Sequence, residues 1–131
     1  MASIFSKIIN REIPAYIVAE DNNFIAFLDI NPLAEGHTLV APKKEIDYIF
    51  DLPDQDIAQL FVFAKRVAQS IRKVVPCNRI GLSVIGLEVP HAHVHLVPLN
   101  TTNDINFAKP KLTFTKEHYA ELAQRISATF K

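Results

Sequence analysis

At 131 residues the chain is about one domain long, and with 49% apolar residues it has enough to close a core. Fourteen basic residues balance fourteen acidic ones, which removes any reason for non-specific binding to nucleic acid or to an acidic membrane. The single cysteine, Cys77, excludes an intramolecular disulfide and any cysteine-rich zinc site. Lys7 places a charge ahead of any signal-like apolar run, and no stretch nears the ~18 apolar residues of a membrane span. The expectation is a cytoplasmic protein, with residues 1–131 forming one domain.

Ile4, Phe5, Ile8 and Ile9 fall at helical spacing behind a possible Ser3 cap, predicting a short N-terminal helix closed before Pro14. Tyr16–Glu20 and Phe24–Leu28 are predicted strands, joined by the turn Asp21-Asn22-Asn23. Pro32 forces Asn31 out of the helical region and ends that pattern at Asp29-Ile30-Asn31-Pro32. Thr38–Ala41 follows Gly36-His37 as a third strand. The longest element is a helix from about Asp54 to Lys73, announced by Asp51 and Pro53. Ile57, Leu60, Ala64, Val67 and Ile71 keep its apolar stripe, while Gln59, Lys65 and Arg66 lie off it.

Ile80–Ile85 is a fourth predicted strand, Gly86 a turn, and His91–Leu99 a fifth strand. Residues 101–111 read as a polar loop. Thr115 then opens a closing helix carried by Tyr119, Leu122, Ile126 and Phe130. Hairpin-like strands with one long central helix, a short N-terminal helix and a C-terminal helix predict an α+β fold around an antiparallel sheet of about five strands.

The chemistry concentrates in His91-Ala92-His93-Val94-His95, which holds three of the five histidines. Polar and apolar residues alternate there, predicting a strand with one buried face and one face lined by imidazoles. On such a strand His91 and His95 lie about 13 Å apart. Three histidines so spaced do not easily converge on one zinc, whose N ligands sit near 2.0–2.1 Å. A metal reading therefore needs His37 as a further ligand, with Glu88 or Asp29 behind it. The other reading is one imidazole that attacks while the rest orient it. A histidine nucleophile keeps one ring nitrogen bare and donates from the other to a fixed acceptor. His93, flanked on both sides, is best placed for that role.

His91-Ala92-His93-Val94-His95-Leu96-Val97 resembles the histidine triad motif of the HIT superfamily of nucleotide hydrolases and transferases. The likeness extends to Ile4–Pro14, to Ala26–Pro32 and to Gly36–Lys44, in the family's order, and the length resembles the Hint-like and bacterial HIT branches. It implies an HIT-like fold and hydrolysis at the α-phosphate of a purine nucleotide (AMP- or GMP-type). The substrate is then a phosphoramidate or a dinucleoside polyphosphate, cleaved through a covalent nucleotidyl-histidine on His93 and released as a nucleoside monophosphate. His91, His95 and His37 would orient the nucleophile and stabilise phosphate charge. Asp29 matches the acidic residue that binds ribose hydroxyls, and Phe5, Phe27 and Ile30 match the purine slot, where simple core packing is the plainer account. No metal and no redox cofactor is implied for the covalent step, and a homodimer is.

Three departures stand out. Leu87 and Glu88 replace the family's Gln and neighbouring hydroxyl before the triad, which removes two polar phosphate contacts. The preceding loop looks shortened, with Ile80 where the family has Asn. Ser3 and Ser6 stand where some relatives carry a zinc-binding Cys-x-x-Cys, so no structural zinc is expected. Glu88 would then recognise an amine-bearing leaving group or supply it a proton, or simply face solvent. The alternative to an enzyme is a nucleotide-binding protein of the same fold with little turnover.

Overall fold

The computed structural model of the protein describes residues 2–131. Helix α1 (Ile4–Ile9) is followed by strands β1 (Ile17–Glu20), β2 (Phe24–Leu28) and β3 (Thr38–Pro42), then the long helix α2 (Asp54–Val74). Strands β4 (Arg79–Ser83) and β5 (Val94–Leu99) and helix α3 (Lys116–Thr129) complete the order. The five strands form one antiparallel sheet in the order β1-β2-β3-β5-β4. This is the α+β architecture that the sequence pattern predicts.

Every residue of β2 and β3 is buried, so the sheet centre is covered on both faces and carries no polar/apolar alternation. Ala26, Val40 and Val94 align across three strands and pack with Leu60, Val67 and Ile71 of α2. Truncating Ile71, which is fully buried, to alanine would cost about 2–5 kcal/mol because the cavity cannot collapse. The neighbouring register row, Phe27, Leu39 and His95, lies on the opposite face. There Phe27 and Leu39 pack under Phe5 and Ile8 of α1. One sheet face is therefore core, and the other is the floor of a site.

Two strand boundaries differ from the sequence expectation by more than one residue. Strand β5 begins at Val94 rather than His91, because the backbone ahead of it bonds elsewhere. His91 N–H donates to Val89 C=O at 2.8 Å and Ala92 N–H to Ile46 C=O at 2.7 Å, outside the sheet ladder. Strand β4 closes at Ser83, opposite His95, so Val84 and Ile85 lie in the loop. Residues 101–111, expected as plain loop, include a 3₁₀ turn at Thr102–Ile105 closed by a capping box between Thr101 and Asp104. The expected helix caps hold: Ser3 Oγ accepts from Ser6 N–H, and Thr115 Oγ1 from His118 N–H. Gly36 sits at φ +89°, and a Cβ there would meet Val75 Cγ2 at 2.9 Å, so only glycine turns the backbone into β3 at His37.

Candidate active site

A cavity of about 740 Å³ opens over the floor row, within the usual size of small-molecule sites. Phe5 from α1, Phe27 and Leu39 from the sheet, and Asp29 and Ile30 from the turn after β2 line it. His37, Glu88, His93 and His95 complete that wall. All the residues singled out from the sequence therefore reach the cavity except His91, which is fully buried behind it.

The ring protons are assigned by what each imidazole faces. His93 Nδ1 lies 2.7 Å from the backbone carbonyl oxygen of His91. A carbonyl only accepts, so Nδ1 carries the proton and Nε2 keeps its lone pair. The far end of the second pair reverses this. Leu33 N–H donates to His37 Nδ1 at 3.0 Å, so the His37 proton sits on Nε2. That group donates across 3.0 Å to His95 Nδ1, which puts the His95 proton on Nε2. The cavity therefore meets one bare imidazole nitrogen and one imidazole N–H donor.

Burial, the largest cause, lowers the pKa of all three cavity histidines. It takes His37 to about 4, with Lys111 the next contributor, and His95 to about 4, with the His93 charge next. His93 is lowered too, although its bond to the His91 carbonyl and the charges of Asp29 and Glu88 oppose the shift. All three are neutral at pH 7, as a nucleophile and an uncharged proton donor require.

Phe5 stands edge-on to His93 (ring centroids 4.8 Å, 87°) and to Phe27 (5.3 Å, 73°). These rings form one apolar wall and belong to the core at the same time. Ile30 is 65% exposed at the rim, so it has no packing role to explain it. Asp29 spends Oδ1 on the N–H of Asn31 at 2.8 Å, a turn-forming bond, while Oδ2 stands 3.5 Å from His37 Nε2. Leu87 is 88% exposed, and Glu88 lies at the cavity edge.

Asp29, His37 and His95 bring potential metal-ligand atoms within 4.8 Å of one another. A metal there needs the Nε2 lone pair of His37, and metal-bound histidines donate from their second nitrogen. Here that second nitrogen accepts a hydrogen bond from Leu33 instead. The cluster is arranged to relay a hydrogen bond.

Sequence reasoning missed one wall. Phe107 stands against His95 (4.8 Å, 76°), and Lys111 lines the cavity, its Nζ donating to Phe107 C=O at 2.7 Å. Leu112 N–H, bonded to Pro32 C=O at 2.9 Å, holds that segment over the Asp29 turn. Nothing local in a polar loop signals such a contact.

The comparison with protein families agrees with this geometry. The HIT domain model matches residues 10–102. The chain belongs to the HIT family. It is 34% identical over 132 residues to an HIT-like protein of Borreliella burgdorferi, covering 95% of each protein. It is 32% identical, over an alignment of 136 positions that covers all of both proteins, to the adenosine 5′-monophosphoramidase hnt1 of Schizosaccharomyces pombe. Its fold is similar to the crystal structure of a Hit-like protein involved in cell-cycle regulation from Bartonella henselae. That match has TM-score 0.83 and 29% identity, over 98% of this protein and 96% of the other.

Proposed function

We propose that the protein hydrolyses a purine nucleotide at its α-phosphate, with His93 as nucleophile. The observation that carries this is the bare Nε2 of His93, its other nitrogen bound to the His91 carbonyl, facing a cavity that also holds Asp29 and Phe5. Similarity to an adenosine 5′-monophosphoramidase supports a phosphoramidate as substrate, with a dinucleoside polyphosphate as the other candidate.

In the first step the Nε2 lone pair forms an N–P bond, and the bond from phosphorus to the leaving group breaks with its electron pair. The positive charge left on the ring is stabilised through Nδ1–H and the His91 carbonyl. His95 Nε2–H donates to a non-bridging oxygen where negative charge grows. Water then attacks phosphorus and gives up one proton to solvent, the N–P bond breaks with its electron pair returning to His93 Nε2, and the nucleoside monophosphate leaves. Asp29 Oδ2 accepts from a ribose hydroxyl, and the purine lies against Phe5, Phe27 and Ile30. The Glu88 carboxylate at the rim attracts the positive charge of a phosphoramidate nitrogen once it is protonated, and when the P–N bond breaks with its electron pair that nitrogen departs as a neutral amine.

We also place the reaction in the cytoplasm and in a homodimer. The sheet ends at β4, an edge strand with the exposed Leu82, and an uncovered edge is a natural surface for a second copy. No helix among the described residues is long and apolar enough to cross a membrane.

The test is AMP release from adenosine phosphoramidate and from diadenosine polyphosphate, comparing wild type with His93→Ala. Release by the wild type alone supports the reading. One observation favours a second reading, a nucleotide-binding protein with little turnover: Leu87 and Glu88 bring no neutral hydrogen-bond donor to the phosphate. AMP binding with no release by either protein would decide for it.

A further inference from the structure

The nucleophile's acceptor, the His91 carbonyl, belongs to a residue held from both sides. On one side, residues 42–46, which lead out of β3, hold it in place. Pro42 C=O accepts from His91 Nε2–H at 2.7 Å, and Ile46 C=O accepts from the N–H of Ala92 at 2.7 Å. Because the Pro42 carbonyl only accepts, the proton of His91 is on Nε2 and its Nδ1 is a lone pair.

On the other side is a cluster the reaction does not use. Ser3 Oγ lies 2.9 Å from His91 Nδ1 and must donate to it. Having spent its proton, the same oxygen accepts Ser6 N–H at 3.0 Å. Ser6 Oγ–H in turn donates to Glu45 Oε1 at 2.6 Å, and that oxygen also accepts Ser3 N–H at 2.6 Å. Ser6 Oγ, at 3.4 Å, is the more distant acceptor for the Ser3 hydroxyl, and His91 Nδ1, at 2.9 Å, the nearer one. Ser3 and His91 are buried (5% and 0% exposed), so a broken bond there is not replaced by water at no cost. The two bonds from Ser3 and Ser6 hold the Glu45 carboxyl low, at about 2, so it is ionised at any working pH.

We infer that Glu45, Ser3 and Ser6 form a hydrogen-bonded tether that positions the His93 nucleophile through His91. The inference rests on His93 being the nucleophile. The tether joins two parts of the site with one device. It sets the tautomer of His91 and the direction of its carbonyl, which fixes the His93 ring. It also caps α1, whose Phe5 packs against both His91 (5.8 Å) and His93 (4.8 Å). A helix of six residues is too short to hold its own geometry in water, so the Glu45 anchor keeps that wall in place. Ser3, Ser6 and Glu45 are positioning residues, since none of them lines the cavity.

The test is steady-state AMP release by the full-length protein bearing Ser3→Ala, Ser3→Thr or Glu45→Ala, with ¹⁵N spectra of the imidazoles. Ser3→Ala should lower kcat about tenfold while KM stays within about twofold, the scale of one lost buried hydrogen bond. Ser3→Thr keeps the hydroxyl and should restore kcat. Glu45→Ala, at an exposed position that leaves the cap in place, should lower kcat about threefold, the low end of one hydrogen bond. Wild-type kcat in folded Ser3→Ala and Glu45→Ala, or a loss confined to KM, would overturn the tether.

The spectra separate this from failure of the hydrolase reading. In Ser3→Ala the His91 Nδ1 signal should move toward that of a free imidazole nitrogen. An unmoved signal overturns the tether whether or not AMP is released. A moved signal in a protein whose wild type releases no AMP overturns the hydrolase reading instead, and with it the catalytic half of the tether.

Discussion

His93 and His95 are the same residue type and line the same cavity, yet His93, backed by His91, and His95, backed by His37, present opposite chemistry to it. The difference lies at the far end of each. A carbonyl behind His93 draws the proton away from the cavity and leaves a lone pair. An amide N–H behind His37 pushes the proton forward, through His95, and leaves a donor. Burial keeps the cavity-facing members neutral, so backbone groups at two loop positions decide which imidazole turns a lone pair to the cavity and which turns a proton.

The hardest break is His93→Ala, which should lower AMP release by at least on the order of 10⁴-fold, as removal of a nucleophile does, measured by chromatography of the product. His95→Ala removes the forward donor but not the attacking group. It should cost about 10²–10³-fold in kcat, the scale of one oxyanion donor, with AMP binding retained in a calorimetric titration. Equal losses in the two variants would show that the pairs are not functionally distinct.

Legibility in the sequence follows the same divide. The order of helices and strands could be read from apolar spacing because α2 and the sheet bury continuous faces. His91, His93 and His95 were legible as a group because an imidazole is rare and three fell two apart, and His37 joined them as a candidate further ligand. The proton directions were not, since Leu33 and the His91 carbonyl act through backbone groups that any residue supplies. The start of β5 was misread for a related reason: residues 91–92 alternate like a strand but bond to Val89 and Ile46. Ser3 was legible as a helix cap and, with Ser6, as the replacement of a Cys-x-x-Cys pair. Its link to Glu45 spans 42 positions and leaves no local pattern. Phe107 and Lys111 were hidden in a polar loop for the same reason.

Milder changes sharpen the comparison. Asp29→Ala should raise KM for a ribonucleotide about ten- to hundredfold, the scale of a hydrogen bond to a charged group, with a smaller penalty on the 2′-deoxy substrate. Equal penalties on both substrates would sink the ribose assignment. Glu88→Gln should slow phosphoramidate turnover several-fold by removing the charge that attracts the protonated phosphoramidate nitrogen, at about 0.5–1 kcal/mol for an exposed pair. It should leave diadenosine polyphosphate unaffected, and an unchanged rate on every phosphoramidate ends that idea.

The gentlest break is pH. His37 and His95 bind protons at about 4 in the folded protein and at about 6.5 in the unfolded one. Between those values the unfolded state holds more protons, so stability is fully present above about 6.5 and declines as pH falls toward 4. Urea midpoints across that range should fall for the wild type and fall less for His37→Phe. Parallel curves would contradict the lowered values.

The most direct measurement is a ¹⁵N–¹H correlation spectrum of the imidazole rings at pH 7, assigned with the single histidine variants. The account predicts opposite neutral tautomers two residues apart: His93 protonated on Nδ1 and bare on Nε2, His95 protonated on Nε2 and bare on Nδ1. The same tautomer on both rings, or a doubly protonated His93, would contradict it.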